Sequence, residues 1–313
     1  MNQGVSVYSE IGKLNKVLLH RLGEEVEGLV PDNFERLLFD DIPYLAAAQR
    51  EHDEFAKVLR ENDIEVLYFL EEAAASLTAE TVRESFVNEF LSESEILSPY
   101  ACEAIHDKLM KMTPEDLVTQ CIAGIRKEQI EVKAPNSLAA MVAMDYPYYT
   151  DPMPNLYFTR DPGSCIGDGV SVNCMKTDAR KRESLLLKYM YNYNDRLFPN
   201  GTNLWYTHEG PYHIEGGDIL VLSPEIVAVG LSLRTSPQAI SCLAEKLLKA
   251  DNSFKKIIVF RIPVKRAFMH LDTVFTMVDY DKFTIHPEIE GPLNLYELTL
   301  AKDGSTQISV ITD

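Results

Sequence analysis

A histidine and four carboxylates in this chain are spaced in a way that suits proton transfer on a cationic ligand. His270 and Asp272 stand two residues apart in Met269-His-Leu-Asp272, so on a strand their side chains would share a face. A histidine beside a carboxylate is an acid–base arrangement near neutral pH. Glu215 and Asp218 flank two glycines in His213-Ile-Glu-Gly-Gly-Asp218, where the backbone can approach a ligand closely or turn sharply. Asp161 closes Asn155-Leu-Tyr-Phe-Thr-Arg-Asp161, and Arg234 lies in Gly230-Leu-Ser-Leu-Arg-Thr-Ser-Pro-Gln238. Each piece has a plainer reading too. Acid-Gly-Gly-acid is a common turn, His270 can be a satisfied buried histidine, and Arg180 and Arg234 can be surface cations capping nearby helices. His270, Asp272 and Glu215 are also ligand types for a divalent ion, though without a firm spacing such as H-E-x-x-H.

These residues stand at the starts of a recurring pattern. Three stretches read acid, apolar strand, turn, second apolar strand: Asp161 to Val172, Asp218 to Val229, and Asp272 to Ile285. The first two continue into helix-like runs, Arg180 to Tyr193 and Pro237 to Ala250, and then into strands, Leu204 to Thr207 and Lys256 to Ile262. A repeated strand–strand–helix–strand unit points to radial repetition, as in a propeller, which gathers the starts of its blades at the axis. On that reading Asp161, Glu215, His270 and Asp272 converge, and the crowding makes Glu215 and His270 titrate abnormally.

Nearer the start, Val17 to Leu19 is a strand and Tyr44 to Asn62 a helix, with Leu45, Ala48, His52, Phe55, Val58 and Leu59 near one face. Ile64 to Phe69 is a second strand. Strand patterns then stop, and three helices are predicted. They are Thr78 to Leu91, capped by Ser76 or Thr78, then Pro99 to Met112, and Leu117 to Ile125 after a Thr113 cap and Pro114. The fold class is α/β: 1–70 and 148–313 form one discontinuous propeller-like domain, and 71–147 an inserted helical domain.

With 313 residues the chain can bury a sizeable core, and its 46% hydrophobic and 25% charged residues are ordinary globular composition. A formal net charge of −18 repels phosphate backbones, which argues against nucleic acid as a partner and favours a cationic ligand. The five cysteines are odd in number, widely spaced and free of C-x-x-C, so neither a disulfide framework nor a zinc knuckle is expected. No signal-peptide core or membrane-spanning apolar stretch is evident.

In this order and context the four motifs resemble those of the guanidino-group-modifying enzymes, and specifically the arginine deiminases. The resemblance runs from Leu37-Leu-Phe-Asp-Asp41 to the last hairpin. The helical insertion is characteristic of that family and lacking in the related dimethylarginine hydrolases. It implies a five-bladed α/β propeller (the pentein fold) with its last blade missing or incomplete in this chain. The implied reaction converts L-arginine to L-citrulline and ammonia in the cytoplasm, with no metal and no cofactor. Asp161 and Asp272 would hold the guanidinium through paired charge-assisted hydrogen bonds. Glu215 and His270 would handle protons, and Arg180 and Arg234 would bind the α-carboxylate. Asn155 would contact the amino-acid end, Phe158 would pack on the substrate, and Asp218 would shape the floor of the site. L-arginine is the implied small-molecule partner, with no nucleic acid and no membrane. A homo-oligomer, and association with a separate C-terminal segment of the same protein, are compatible with the resemblance. Two other readings stay open: another guanidine-modifying enzyme such as an amidinotransferase, and a catalytically inactive guanidinium-binding protein.

In that family a cysteine thiolate near the C-terminus, in a Gly-rich loop, attacks the guanidinium carbon and forms a covalent thiouronium that water hydrolyses. This sequence ends Ile308-Ser-Val-Ile-Thr-Asp313 with no such loop. Cys102 and Cys121 fall in the helical insertion and Cys242 within a helix pattern, while Cys165 and Cys174 read as structural thiols after Asp161. The expectation is that a homogeneous 313-residue chain releases no citrulline from arginine. A colorimetric citrulline assay on material shown by mass spectrometry to carry no further peptide checks this. Full turnover would force Cys165 or Cys174 into the nucleophile's place.

Overall fold

The computed structural model describes residues 4–132, 146–265, 267–291 and 293–311, so residues 133–145 of the expected insertion lie outside it. The chain is mixed α/β and divides into two compact units. A helical unit comprises Asn15–Thr159 and Thr177–Asn194, and a sheet unit Met1–Leu14, Arg160–Lys176 and Asp195–Asp313.

The helical unit begins with β1 (Lys16–Leu19), followed by the short helices α1 (Glu24–Glu27) and α2 (Phe34–Leu37). Then come α3 (Leu45–Glu61) and β2 (Glu65–Tyr68), which pairs parallel with β1. A parallel pair needs a long crossover, and α3 supplies it. On α3 the deeply buried positions are His52 and Ala56, so Phe55 and Val58 point outward, against the face expected from the sequence. Helices α4 (Phe69–Ser76), α5 (Glu80–Glu93), α6 (Pro99–Leu109) and α7 (Pro114–Ala123) follow.

Sequence reading passed over α4, whose Leu-Glu-Glu-Ala-Ala-Ala run has high helix propensity. That helix takes Ser76 into its last turn, where the hydroxyl donates to the Glu72 carbonyl, so Ser76 does not cap α5. Thr113 does cap α7, accepting from the Asp116 N–H at 3.2 Å, with Pro114 at the first position. The short β3 (Ile125–Arg126) pairs with β4 (Tyr148–Thr150), and α8 (Asp178–Tyr193) packs on α4 and α5 through contacts such as Phe86 against Tyr189.

In the sheet unit, β5 (Gly163–Ile166) and β6 (Gly169–Val172) form a hairpin, and β7 (Asn203–Tyr206) pairs parallel with β6. The same plan recurs. The hairpin of β8 (Ile219–Ser223) and β9 (Ile226–Leu231) leads through α9 (Pro237–Lys249) to β10 (Lys256–Arg261), parallel with β9. A third hairpin, β11 (Phe275–Asp279) with β12 (Lys282–Ile285), stands as its own two-stranded sheet. Finally β13 (Asn294–Leu300) and β14 (Thr306–Ile311), not anticipated from the sequence, extend the β8–β10 sheet to five strands in the order β14-β13-β10-β9-β8.

Strands β8 and β9 of that sheet are covered on both faces, while β14 is largely exposed. Ile219, Val221, Val227 and Val229 face α9, while Leu220 and Ala228 alternate to a second cluster containing Phe268, Leu271 and Val274. Helix α9 starts with a Ser236 cap and Pro237, and buries Ile240, Leu243, Ala244 and Leu247 at helical spacing. Leu243 is fully enclosed, so Leu243→Ala should lower the unit's stability by about 2–5 kcal/mol, read from urea unfolding. A change under about 1 kcal/mol would show that α9 does not hold this core closed.

Candidate active site

Two single-turn 3-10 helices carry the cluster in the sheet unit: Gly216–Asp218 before β8, and Leu271–Thr273 shortly before β11. Glu215 and His270 each occupy the extended residue just ahead of their turn. Asp272 therefore lies within a turn, and the strand geometry expected for His270 and Asp272 gives way to it. The turns face each other, with the Leu271 N–H donating to Asp218 Oδ1 at 2.8 Å. Gly217 lies against the His270 ring, where a Cβ would come within 2.6 Å of Nδ1. Its φ is not positive, so close approach to the histidine, and not a left-handed turn, requires glycine there.

His270 sits between two carboxylates. Its Nε2 is 2.8 Å from Glu215 Oε2, and its Nδ1 is 3.7 Å from Asp161 Oδ1. All three side chains are buried. Asp161 Oδ1 also accepts the Gly217 N–H at 3.1 Å, and Asn173 Nδ2 donates to the Asp161 carbonyl. Glu215 is fully enclosed. It accepts the Lys176 N–H at 3.0 Å, and Arg234 Nη1 lies 3.4 and 3.5 Å from its two oxygens. Ser232 Oγ donates to Asp218 Oδ2 at 2.6 Å and accepts from the N–H groups of Arg234 and Thr235, while Thr235 Oγ1 accepts the Glu215 N–H. Ser232 and Thr235 were passed over in the sequence, although both hydroxyls flank Arg234 in its motif.

Asp161, Glu215 and His270 also offer ligand atoms within 4.8 Å of one another. Glu215 and Asp161 address different nitrogens of the His270 ring, at 2.8 and 3.7 Å.

The other expected site residues belong to the helical unit. Asn155 is buried, and its Nδ2 donates to the Leu37 carbonyl at 2.7 Å. Arg180, in the first turn of α8, holds Glu183 through Nε and Nη2 at 2.8–3.2 Å and donates to the Asn155 carbonyl at 3.3 Å. Phe158 is half exposed, edge-on to Tyr157. Neither arginine is the surface helix cap that composition alone allowed: both are buried, and each lies near a helix N-terminus.

The arginine deiminase family model matches residues 35–313. The arginine deiminase of Bacillus cytotoxicus is 47% identical over 309 residues, covering 98% of this chain and 75% of that protein. The arginine deiminase of Latilactobacillus sakei is 45% identical over 312 residues, covering 100% and 76%. The chain belongs to the arginine deiminase family. Weaker likenesses exist among solved structures. A dimethylarginine dimethylaminohydrolase in adduct with S-methyl-L-thiocitrulline gives 12% identity and a TM-score of 0.48, covering 90% of this chain and 73% of that one. An amidinotransferase from Microseira wollei gives 14% and 0.48, covering 91% and 71%.

In this member of the family the buried charges shift one another. Burial opposes a charged His270, but the Glu215 hydrogen bond and the charges of Asp161, Asp218 and Glu215 outweigh it and push the imidazole up to about 9. Burial pushes Asp218 up to about 7, against the His270 charge and the hydrogen bonds from Ser232, Thr235 and Leu271. Burial also raises Asp272, with Asp161 and Glu10 acting in the same direction and His270 and Arg160 against it.

Both His270 and Asp218 bind protons more tightly in the folded state, so each contributes stability that is full below its unfolded value and lost as pH rises through its folded value. For His270 that loss spans 6.5 to about 9, and for Asp218 3.8 to about 7. Thermal midpoints should therefore fall between about pH 6 and pH 9.5, and the fall should flatten in His270→Asn. An unchanged slope in that variant would remove His270 as its source.

Proposed function

We propose that this chain carries the guanidinium-binding and proton-handling part of an arginine deiminase: its buried acid–histidine cluster binds the guanidinium of L-arginine and moves the protons of its hydrolysis to L-citrulline and ammonia. The observation that carries this reading is a histidine enclosed between Glu215 and Asp161, in a chain of this family. Asp161 and Asp272 receive the N–H groups of the planar guanidinium, which pairs well with carboxylates. His270, protonated at rest, gives its proton to the departing nitrogen, and Glu215 holds the imidazolium in place. In the family's reaction a cysteine thiolate bonds to the guanidinium carbon as that nitrogen leaves as ammonia, and water then hydrolyses the thiouronium to citrulline and frees the thiolate. Arg234 contacts Glu215 only at the long end of hydrogen-bond range, so an α-carboxylate can draw its donors away. Asp218 shapes the floor beneath His270.

On family membership alone, Arg180 joins Arg234 on the α-carboxylate, Asn155 reads the amino-acid end and Phe158 packs on the substrate. The five-bladed propeller, built from 1–70 and 148–313 with 71–147 inserted, rests on the same ground. None of the described helices is long and apolar enough to cross a membrane, and cytoplasmic residence and a homo-oligomeric state belong to the proposal.

Calorimetric titration with L-arginine tests the binding roles. Each lost charge-assisted bond costs about 1.5–3 kcal/mol, so Asp161→Asn and Asp272→Asn should each weaken binding by about ten- to a hundredfold. Agmatine, which lacks the α-carboxylate, should bind the parent more weakly and be insensitive to Arg234→Ala. Arginine affinity unchanged in Asp161→Asn would sink the guanidinium assignment.

A further inference from the structure

Arg160 stands beside Asp161 in the first motif and has no part in the reading above. Its Nε donates to the Gly216 carbonyl at 3.2 Å, and Nη2 to the Ile219 carbonyl at 2.5 Å. Nη1 and Nη2 then meet the two oxygens of Glu10 at 3.1 and 3.0 Å. Glu10 is fixed in turn, since its N–H donates to the Val221 carbonyl at 2.9 Å and its Oε1 accepts the Val221 N–H at 2.8 Å. The two carbonyls that Arg160 holds lie on either side of Gly217 and Asp218, the turn that places Glu215 and Asp218. The next residue, Asp161, holds the middle of the same turn through the Gly217 N–H. The fit is close, for a Cβ on Gly216 would come within 1.9 Å of the Arg160 carbonyl oxygen.

We propose that Arg160 and Glu10 form a clasp that sets the Gly216–Ile219 turn, and through it Glu215 against His270 and Asp218 against Leu271, as positioning residues of the site. A guanidinium is a rigid plane with donors at fixed angles, so bonds to two carbonyls and one carboxylate fix both the distance and the tilt of the turn. Lysine carries the same charge but, as a single ammonium on a flexible stem, cannot span all three acceptors. The clasp itself is charged, and the groups facing His270 include Asp161, Glu215 and Asp218, with Arg234 on Glu215 and Asp272 nearby.

The inference rests on the proposed function only in taking this cluster as the site, and its test does not require arginine. The His270 titration is followed by 1H–15N NMR in the full chain and in Arg160→Lys and Arg160→Gln. If Arg160 positions the turn, the Glu215–His270 bond loosens in both variants. His270 then titrates about one pH unit or more below its value of about 9. If Arg160 acts only by its charge, Arg160→Lys leaves His270 in place and Arg160→Gln raises it, because a neighbouring cation has gone. Either of those results overturns the proposal.

Should the Arg160 variants not fold, Glu10→Gln keeps the side chain's size and weakens the clasp. Amide exchange at Gly217 should then quicken by about tenfold, and an unchanged rate overturns the proposal. A parent chain that fails to bind L-arginine would overturn the proposed function and leave these readouts standing.

Discussion

The interaction on which the rest of the structure depends is the buried His270 imidazole held between Glu215 at 2.8 Å and Asp161 at 3.7 Å. Removing such charges from solvent costs several kcal/mol per ion unless the pairing geometry is good and the remaining lone pairs are satisfied. Here the supporting bonds come largely from backbone: Lys176 N–H to Glu215, Gly217 N–H to Asp161 and Leu271 N–H to Asp218. Backbone donors cannot swing away as side chains do, so the carboxylates keep their aim only while the turns keep their shape.

The shape of the turns is set by the core on both sides of strands β8 and β9. The residues just after the Gly216–Asp218 turn alternate between two apolar clusters, Ile219 and Val221 on one face and Leu220 on the other. Leu271, immediately after His270, lies in the same cluster as Leu220, with Phe268 two residues before the histidine. Packing therefore fixes the backbone on each side of the chemistry. Around that point the carboxylates of Asp161, Glu215, Asp218 and Asp272 outnumber the cationic side chains of His270, Arg160 and Arg234.

Much of this arrangement was legible in the sequence because its signals are local. Leading acids, apolar runs and turns marked the three hairpins, the helix-like run Pro237 to Ala250 marked α9, and Thr113-Pro114 marked α7. Other features had no local signal. Phe55 and Val58 look like core residues in a helical pattern, yet the buried positions of α3 fall on His52 and Ala56. Strands β13 and β14 were passed over, and they join the sheet in sequence, β13 pairing with β10 and β14 with β13. Ser232 and Thr235 were passed over, because a hydroxyl's partner across the site is invisible along the chain.

What the sequence by itself determined is the set of residue types and their local setting: an acid at the head of each hairpin, glycines beside Glu215, and a histidine two residues from Asp272. Motif and spacing carry that much because strand, turn and helix preferences act over a few residues. Only the tertiary structure decided which carboxylate meets which nitrogen, that His270 and Asp272 sit at a 3-10 turn and not along a strand, and that Gly217 is glycine to admit the imidazole. The physical reason is range. Hydrogen bonds, burial and the resulting shift of His270 act across about 3–4 Å of space between residues 50 or more positions apart, and no pattern along the chain records that separation.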